Sequence, residues 1–139
     1  MHDGDIVGLM SYKLDSKYMN ITRFCTKQDV VISGLFSKML KHIIRTTEYH
    51  GKVISFSDNR HSNGNLYKEC GFQLDKELPP DYFYTKDYHS RLNKTHFRKE
   101  KIAKKFNIDI TGKTEWELMQ ELGYDRIWDA GKKRWVLEV

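Results

Sequence analysis

Seven apolar side chains constrain this chain more than anything else in it. Ile32, Leu35, Phe36, Met39, Leu40, Ile43 and Ile44 recur at offsets of 3, 4, 7, 8, 11 and 12 from the first. That spacing is one continuous face of a helix with 3.6 residues per turn. Asp29 or Ser33 is placed to cap its start, and His50-Gly51 ends it. Immediately after comes Lys52-Val53-Ile54-Ser55-Phe56-Ser57-Asp58, short, apolar and partly β-branched, the pattern of a buried central strand. Ser62-Asn63-Gly64 then opens a short helix that Gly71 closes, and Phe72-Gln73-Leu74 begins a further strand. Strand, helix, strand, short helix and strand make a parallel α/β unit over residues 30–72.

The segments on either side fit around that unit. Ile6 to Tyr12 and Tyr18 to Cys25 are two strand candidates joined by a turn at Leu14-Asp15-Ser16-Lys17, which predicts an antiparallel hairpin. Pro79-Pro80 interrupts the chain with extended backbone, and Tyr82-Phe83-Tyr84 reads as one more strand. From Lys86 to Lys105 eight Lys/Arg stand against Asp87 and Glu100. Phe97, Ile102 and Phe106 keep a broken helical spacing there, which predicts a basic helix lying on the core. Thr114 and Glu117 have the spacing of a capping box, and the helix they start runs through Leu118, Met119 and Leu122 to Gly123. Two apolar runs flanking Ala130-Gly131 predict a closing hairpin over residues 124–137. The division expected is a core at 1–85 and an appendage at 86–139.

Composition narrows the function classes. The net charge is +5 and the isoelectric point near 9.1, which favour an anionic partner. Cys25 and Cys70 are distant in sequence and form no C-x-x-C, so no disulfide framework, zinc knuckle or other metal site is expected, and a reducing cytosol is. No apolar run approaches a membrane span, and the acidic, polar start is unlike a signal peptide.

Two stretches carry candidate chemistry. A helix start that follows a strand offers free N–H groups and a positive dipole end, and small residues there let a phosphate approach; Gly34 is such a residue. Asp58, Asn59, Arg60, His61 and Ser62 follow the carboxyl end of a strand, where open α/β sheets bind ligands. In that cluster Asp58 or His61 could serve as a base and Arg60 could hold a phosphate.

Gly34 together with Leu66-Tyr67-x-x-x-Gly71-Phe72 resembles the GNAT acyltransferase family. The resemblance implies a GNAT-like, partly parallel sheet flanked by helices on both faces, N-terminally truncated relative to the family, with a C-terminal helix and hairpin appendage. It implies that the pyrophosphate of acetyl-CoA sits at the helix start, with Val31, Ile32, Ser33, Gly34, Ser37 and Asn65 in the cofactor-binding set. Tyr67 takes the place of the general acid to the leaving thiolate. In the family pattern Q/R-x-x-G-x-G/A, Val31 stands at the Q/R position and Phe36 at the second small position, where a large ring would obstruct the pyrophosphate. A productive site needs an open Gly34 turn and a splayed gap between the strands holding Ile21–Cys25 and Val53–Ser57.

A wider resemblance covers nearly the whole chain. Arg23-Phe24, Ser33-Gly34-x-Phe36-Ser37-Lys38, Ser57-Asp58-Asn59-Arg60, Gly64-Asn65-Leu66-Tyr67, Pro80-Asp81-Tyr82 and Gly123 to Asp129 look like a GNAT-like bacteriophage module often found at the C-terminus of Vsr-like and HNH homing endonucleases. It implies a DNA-associated role in a host-cell cytoplasm. No nuclease constellation accompanies it, so such a module is non-nucleolytic alone. Nucleic acid would meet Arg60, and Arg91, Lys94, Arg98, Lys101 and Lys105, spaced three or four apart. The alternative is a CoA-dependent N-acyltransferase acting on a protein amine or a modified nucleobase. A homodimer or an N-terminal partner domain would supply the missing family elements.

Overall fold

The computed structural model describes residues 3–139. Contacts divide them into two compact units, residues 3–78 with Gly131–Val139, and Pro79–Ala130. The division expected from the sequence was at 85/86; the contacts divide the chain at 78/79 and 130/131, and Gly131–Val139 belongs with the first unit.

The first unit is a mixed α/β layer. Its strands are β1 (Gly8–Leu14), β2 (Tyr18–Thr26), β3 (Lys52–Asp58) and β4 (Gln73–Leu78), with helices α1 (Leu35–Thr47) and α2 (Asn65–Glu69) between them. The C-terminal segment Lys132–Glu138, β7 in chain order after the second unit's strands β5 (Tyr82–Thr85) and β6 (Asp125–Trp128), completes the sheet. The order is β1-β2-β3-β7-β4. β1 and β2 form the expected antiparallel hairpin, with a bulge that leaves Thr22 as the extra residue between Arg23 opposite Ser11 and Ile21 opposite Tyr12. β2 and β3 are parallel. β7 lies antiparallel to both β3 and β4. Residues 124–137 are therefore no hairpin: β6 pairs with β5 and β7 with β3 and β4. Two strand-like runs around a glycine look local in sequence, but each finds its partner elsewhere.

The core of this unit lies on one face of the sheet. Met19, Ile21, Val53 and Trp135 are buried there against Phe36 and Leu40 of α1 and Phe72 after α2. Tyr67 of α2 joins the same cluster, with its ring 5.7 Å from Phe36 and stacked 5.8 Å from Trp135. Both helices of the unit thus share one face, where helices on both faces were expected. α1 begins at Leu35, not Ile32, because Gly34 takes φ 70° and turns the chain. Neither Asp29 nor Ser33 caps it; the Ser37 hydroxyl donates to the Gly34 carbonyl at 3.0 Å.

The second unit is built on the two-stranded ribbon of β5 and β6. A 3-10 turn at Lys94–Phe97, α3 (Lys99–Phe106) and α4 (Glu115–Glu121) close over it. Tyr84, Phe97, Ile102, Leu118 and Met119 are its buried core. The capping box at Thr114 and Glu117 is formed in both directions. The continuous basic helix over residues 86–105 is not. Asp87 instead accepts from the N–H groups of His89 and Ser90 and from the Ser90 hydroxyl, Tyr88 turns left-handed at φ 60°, and Arg98 is extended. These local bonds compete with helix for the same backbone.

Candidate functional site

The site begins where a sheet ladder stops. β2 and β3 are paired at Tyr18, Met19 and Asn20, opposite Lys52, Val53 and Ile54. Past Asn20 and Ile54 the strands part: Ile21 and residues 23–26 pair with β1, and residues 55–58 with β7. The two strands open as a V, and a cleft of about 780 Å³ occupies it. Asn20 to Cys25 form one wall, and Ser55 to Asp58, His61, Ser62, Leu66 and Tyr67 the other.

Polar groups concentrate at the crotch of the V. Ser55 Oγ, buried, lies 3.1 Å from the Ile21 carbonyl and 2.9 Å from the Tyr67 hydroxyl. Tyr67 donates to the Phe56 carbonyl at 3.3 Å. Its ring is fixed by edge contacts with Phe36 and Phe72 and by the stack on Trp135. A phenol so held has its oxygen at the cleft wall beside a serine hydroxyl, so a proton given up from Tyr67 leaves an oxygen that Ser55 can hydrogen-bond. Asn20 Oδ1 is buried on the facing wall with no hydrogen-bond partner among the described residues.

A second hollow, about 440 Å³, adjoins the start of α1. Val30, Val31, Ile32, Ser33, Gly34 and Ser37 line it, with Thr26 and Cys70. Phe24 and Leu66 line both hollows, so the two hollows adjoin at these side chains. The helix start is open. A Cβ on Gly34 would meet nothing nearer than Ser37 Oγ at 3.7 Å, and among the described residues no side chain caps the helix. Phe36, the residue expected to obstruct, is 2% exposed, in edge contact with Phe24 at 5.1 Å, and also lines this hollow. Burial, and secondarily the charge of Glu69, push the Cys70 thiol above its ordinary range, which keeps it protonated.

The candidate residues therefore fall into groups. Tyr67, Asp58 and His61 meet at the cleft. Val31, Ile32, Ser33, Gly34 and Ser37 meet at the second hollow. Asn65 lines neither hollow; it opens α2, and its N–H donates to Asn63 Oδ1 at 3.3 Å. Arg60 is exposed just outside the cleft lining, its N–H held by Asp58 Oδ1 at 2.9 Å. Asp58 is thus partly engaged in shaping its own turn. Ser55 and Asn20 were missed in sequence. A signal existed for Ser55, a serine at an inward position of an otherwise apolar strand.

In the second unit the basic residues do not form one stripe. Arg91 lies in the turn after Asp87. Lys94 pairs with Asp81 at 2.5 Å and sits over the Tyr82 ring. Lys101 donates to the Thr95 carbonyl at 2.9 Å. Lys105 lies over Phe97 and Phe106. Arg91, Arg98, Lys101 and Lys105 are exposed. Among the described residues no helix is long and apolar enough to cross a membrane, and no group of acidic, histidine and cysteine side chains has the arrangement of a metal site. No protein-family model matches the chain, and no curated protein matches it either.

Proposed function

We propose that the first unit is a GNAT-like acyltransferase fold that takes an acyl-CoA thioester in the two adjoining hollows and passes the acyl group to an amine. The observation that carries this reading is the parting of β2 and β3 after Asn20 and Ile54. It supplies a slot in the sheet beside a hollow at the uncapped helix start of Gly34. The helix end offers N–H groups to a pyrophosphate, and the cleft walls offer length for the thiol arm. In the step itself the amine nitrogen attacks the thioester carbon, the C–S bond breaks, and the leaving thiolate takes the Tyr67 proton while Ser55 stays hydrogen-bonded to the phenol oxygen. His61 or Asp58 takes the proton lost by the amine.

A thermal-shift titration with acetyl-CoA tests the reading, since a ligand of the native state must raise its melting temperature. Stabilisation by acetyl-CoA is expected in the wild type and in Tyr67→Phe, and loss of it in Gly34→Trp. Acyl transfer is expected to fall on the order of 10²- to 10⁴-fold in Tyr67→Phe. No shift with acetyl-CoA at any concentration would refute the reading.

The second reading is the bacteriophage DNA-associated module. The exposure of Arg91, Arg98, Lys101 and Lys105 favours it; the pairing of Lys94 with Asp81 weighs against a contribution from that residue. It predicts duplex binding that weakens steeply as salt rises, with a slope reduced by about 0.9 for each phosphate-contacting cation removed.

A further inference from the structure

Arg23 is the charge in the cleft that the fold leaves unanswered. Ile21 and Phe24 of β2 both pack on the core face of the sheet, although regular alternation puts residues three apart on opposite faces. The bulge at Thr22 makes up the difference, so Thr22 and Arg23 both turn to the face away from α1 and α2. Thr22 is tied back to β1: its Oγ1 donates to the Ser11 carbonyl at 3.2 Å and lies 2.9 Å from Ser11 Oγ. Arg23 is exposed, lines the cleft and has no ion pair among the described residues. Lys27, Lys52, Lys133 and Arg134 of the same unit each have a carboxylate partner. Among the described residues Arg23 is the one Lys or Arg in the cleft lining.

The facing wall adds the rest of the chemistry. Val53 lies in the core, so alternation turns Phe56 and Asp58 to the same outer face as Arg23. Asp58 is partly answered within the fold: its Oδ1 accepts from the Arg60 N–H at 2.9 Å, and Lys132 stands opposite it in the β3–β7 ladder. Phe56, 38% exposed, offers an apolar ring, and His61 offers a base. A planar guanidinium takes a carboxylate or a phosphate in a fork of two hydrogen bonds. Arg23 stands two residues past Ile21, whose carbonyl meets Ser55 at the crotch, a rise of about 7 Å along the strand. An acid held by its side chain therefore lies within a few bonds of a nitrogen placed at the crotch. The fork also stands apart from the place read for the pyrophosphate, because Arg23 does not line the hollow at the start of α1.

We propose that Arg23 selects the acyl acceptor, and that the acceptor is a small amine carrying an acid group a few bonds from its nitrogen, with the amino acids as its type. The acid docks on the guanidinium, the short carbon chain lies against Phe56, and the nitrogen reaches the crotch beside Tyr67. The proposal rests on the acyl-CoA reading for its reaction and adds to it the class of acceptor. The transfer itself is unchanged: the N–C bond forms, the C–S bond breaks, the thiolate takes the Tyr67 proton, and His61 or Asp58 takes the proton lost by the amine.

Thiol release from acetyl-CoA, followed with matched amines, tests it on the full chain. β-Alanine, phosphoethanolamine, propylamine and 1,3-diaminopropane share a two-carbon spacer and differ in whether it leads to a carboxylate, a phosphate, a methyl or an ammonium group. The α-amino acids are compared with the amines left when they lose their carboxyl groups. The wild type is expected to favour the acid-bearing member of each set in kcat/KM, and the better of β-alanine and phosphoethanolamine identifies the acid group. Arg23→Gln is expected to reduce that preference about 10- to 100-fold, the loss of a charge-assisted hydrogen bond, and Arg23→Glu to pass it to 1,3-diaminopropane. Lys13→Gln removes a cation opposite Asn20 that lies outside the cleft lining and is expected to keep the preference. The acetyl-CoA melting shift is expected in the wild type and in Arg23→Glu alike. No shift in the wild type refutes the acyl-CoA reading and the proposal with it. A shift without transfer to any acid-bearing amine, or with a preference that survives in Arg23→Glu or is lost equally in Lys13→Gln, overturns the proposal alone. So does a shift lost in Arg23→Glu, which would assign the guanidinium to the phosphates of CoA.

Discussion

Tyr84 illustrates how a single polar tip is accommodated in a small core. Its ring is fully buried among Phe97, Trp116 and Tyr82, and its hydroxyl donates to a Glu115 carboxylate oxygen at 2.8 Å. Burial is the main reason its hydroxyl ionises only well above the ordinary tyrosine range, and the Glu115 carboxylate adds to it. Since the raised value belongs to the folded state, this stabilisation is complete at neutral pH. It is lost as pH rises past the ordinary tyrosine value of about 10, where the unfolded chain ionises first. Tyr84→Phe leaves Glu115 without its donor and is expected to cost roughly 1–3 kcal/mol; a melting curve followed by urea titration checks it. The variant's stability should also fall less between neutral and strongly alkaline pH than the wild type's. Tyr84 was legible as a strand residue from the run Tyr82-Phe83-Tyr84. Its partner was not, because Glu115 lies 31 positions away and no local pattern links them.

The elements whose cause is local were the ones readable in sequence. α1 has a seven-residue stripe and α4 a capping box, and both stand where the spacing puts them to within a turn. α2 depends on a closer fit. Gly64 precedes it at φ 86°, and a Cβ there would fall 2.1 Å from Cζ2 of Trp135. Gly64→Ala therefore combines left-handed strain with a clash against a buried ring, and is expected to cost roughly 2–5 kcal/mol. Denaturant midpoints would measure it, and a loss below 1 kcal/mol would show that Trp135 yields easily. The sequence marked Gly64 as a helix start without indicating why a glycine was needed, since Trp135 arrives from the other end of the chain. The basic run failed as a helix for the opposite reason. Its charge spacing was regular, but Asp87 and the extended Arg98 break the backbone that would carry it. At the site, the strand end with Asp58 and His61 and the helix start at Gly34 were legible as separate features. The gap between the two strands was named from the resemblance as a requirement, but that the β2–β3 ladder ends after Asn20 and Ile54 was not legible.

At the scale of the molecule, the second unit is an insertion in a hairpin. Leu78 at the end of β4 pairs with Lys132 at the start of β7, so the two chain ends that leave the first unit are neighbours across a ladder. Replacing Pro79–Ala130 by a two-residue Asn-Gly turn is expected to leave a folded first unit whose melting temperature still rises with acetyl-CoA, if the acyl-CoA reading is right. The replaced chain should lose whatever nucleic-acid affinity Arg91, Arg98, Lys101 and Lys105 provide. Collapse of the shortened chain, seen as loss of cooperative melting, would mean the first unit depends on the insertion. Nothing in the order of apolar runs foretold this arrangement, because a strand placed last in the sequence carries no mark of entering the middle of a sheet.

That placement has a consequence for how the protein is made. β7 separates β3 from β4 in the sheet, pairing Lys52 with Glu138 and Gln73 with Val136, and it is synthesised after both. Until it emerges, β3 and β4 have no shared neighbour, and the apolar face that Trp135 completes stands open. The insertion, a compact unit of its own over Pro79–Ala130, emerges complete before β7. Folding of that first unit is then gated by the emergence of β7, with long loops to close. A chain that stops short of β7 has its sheet unfilled at the centre, and such exposed strand edges favour aggregation.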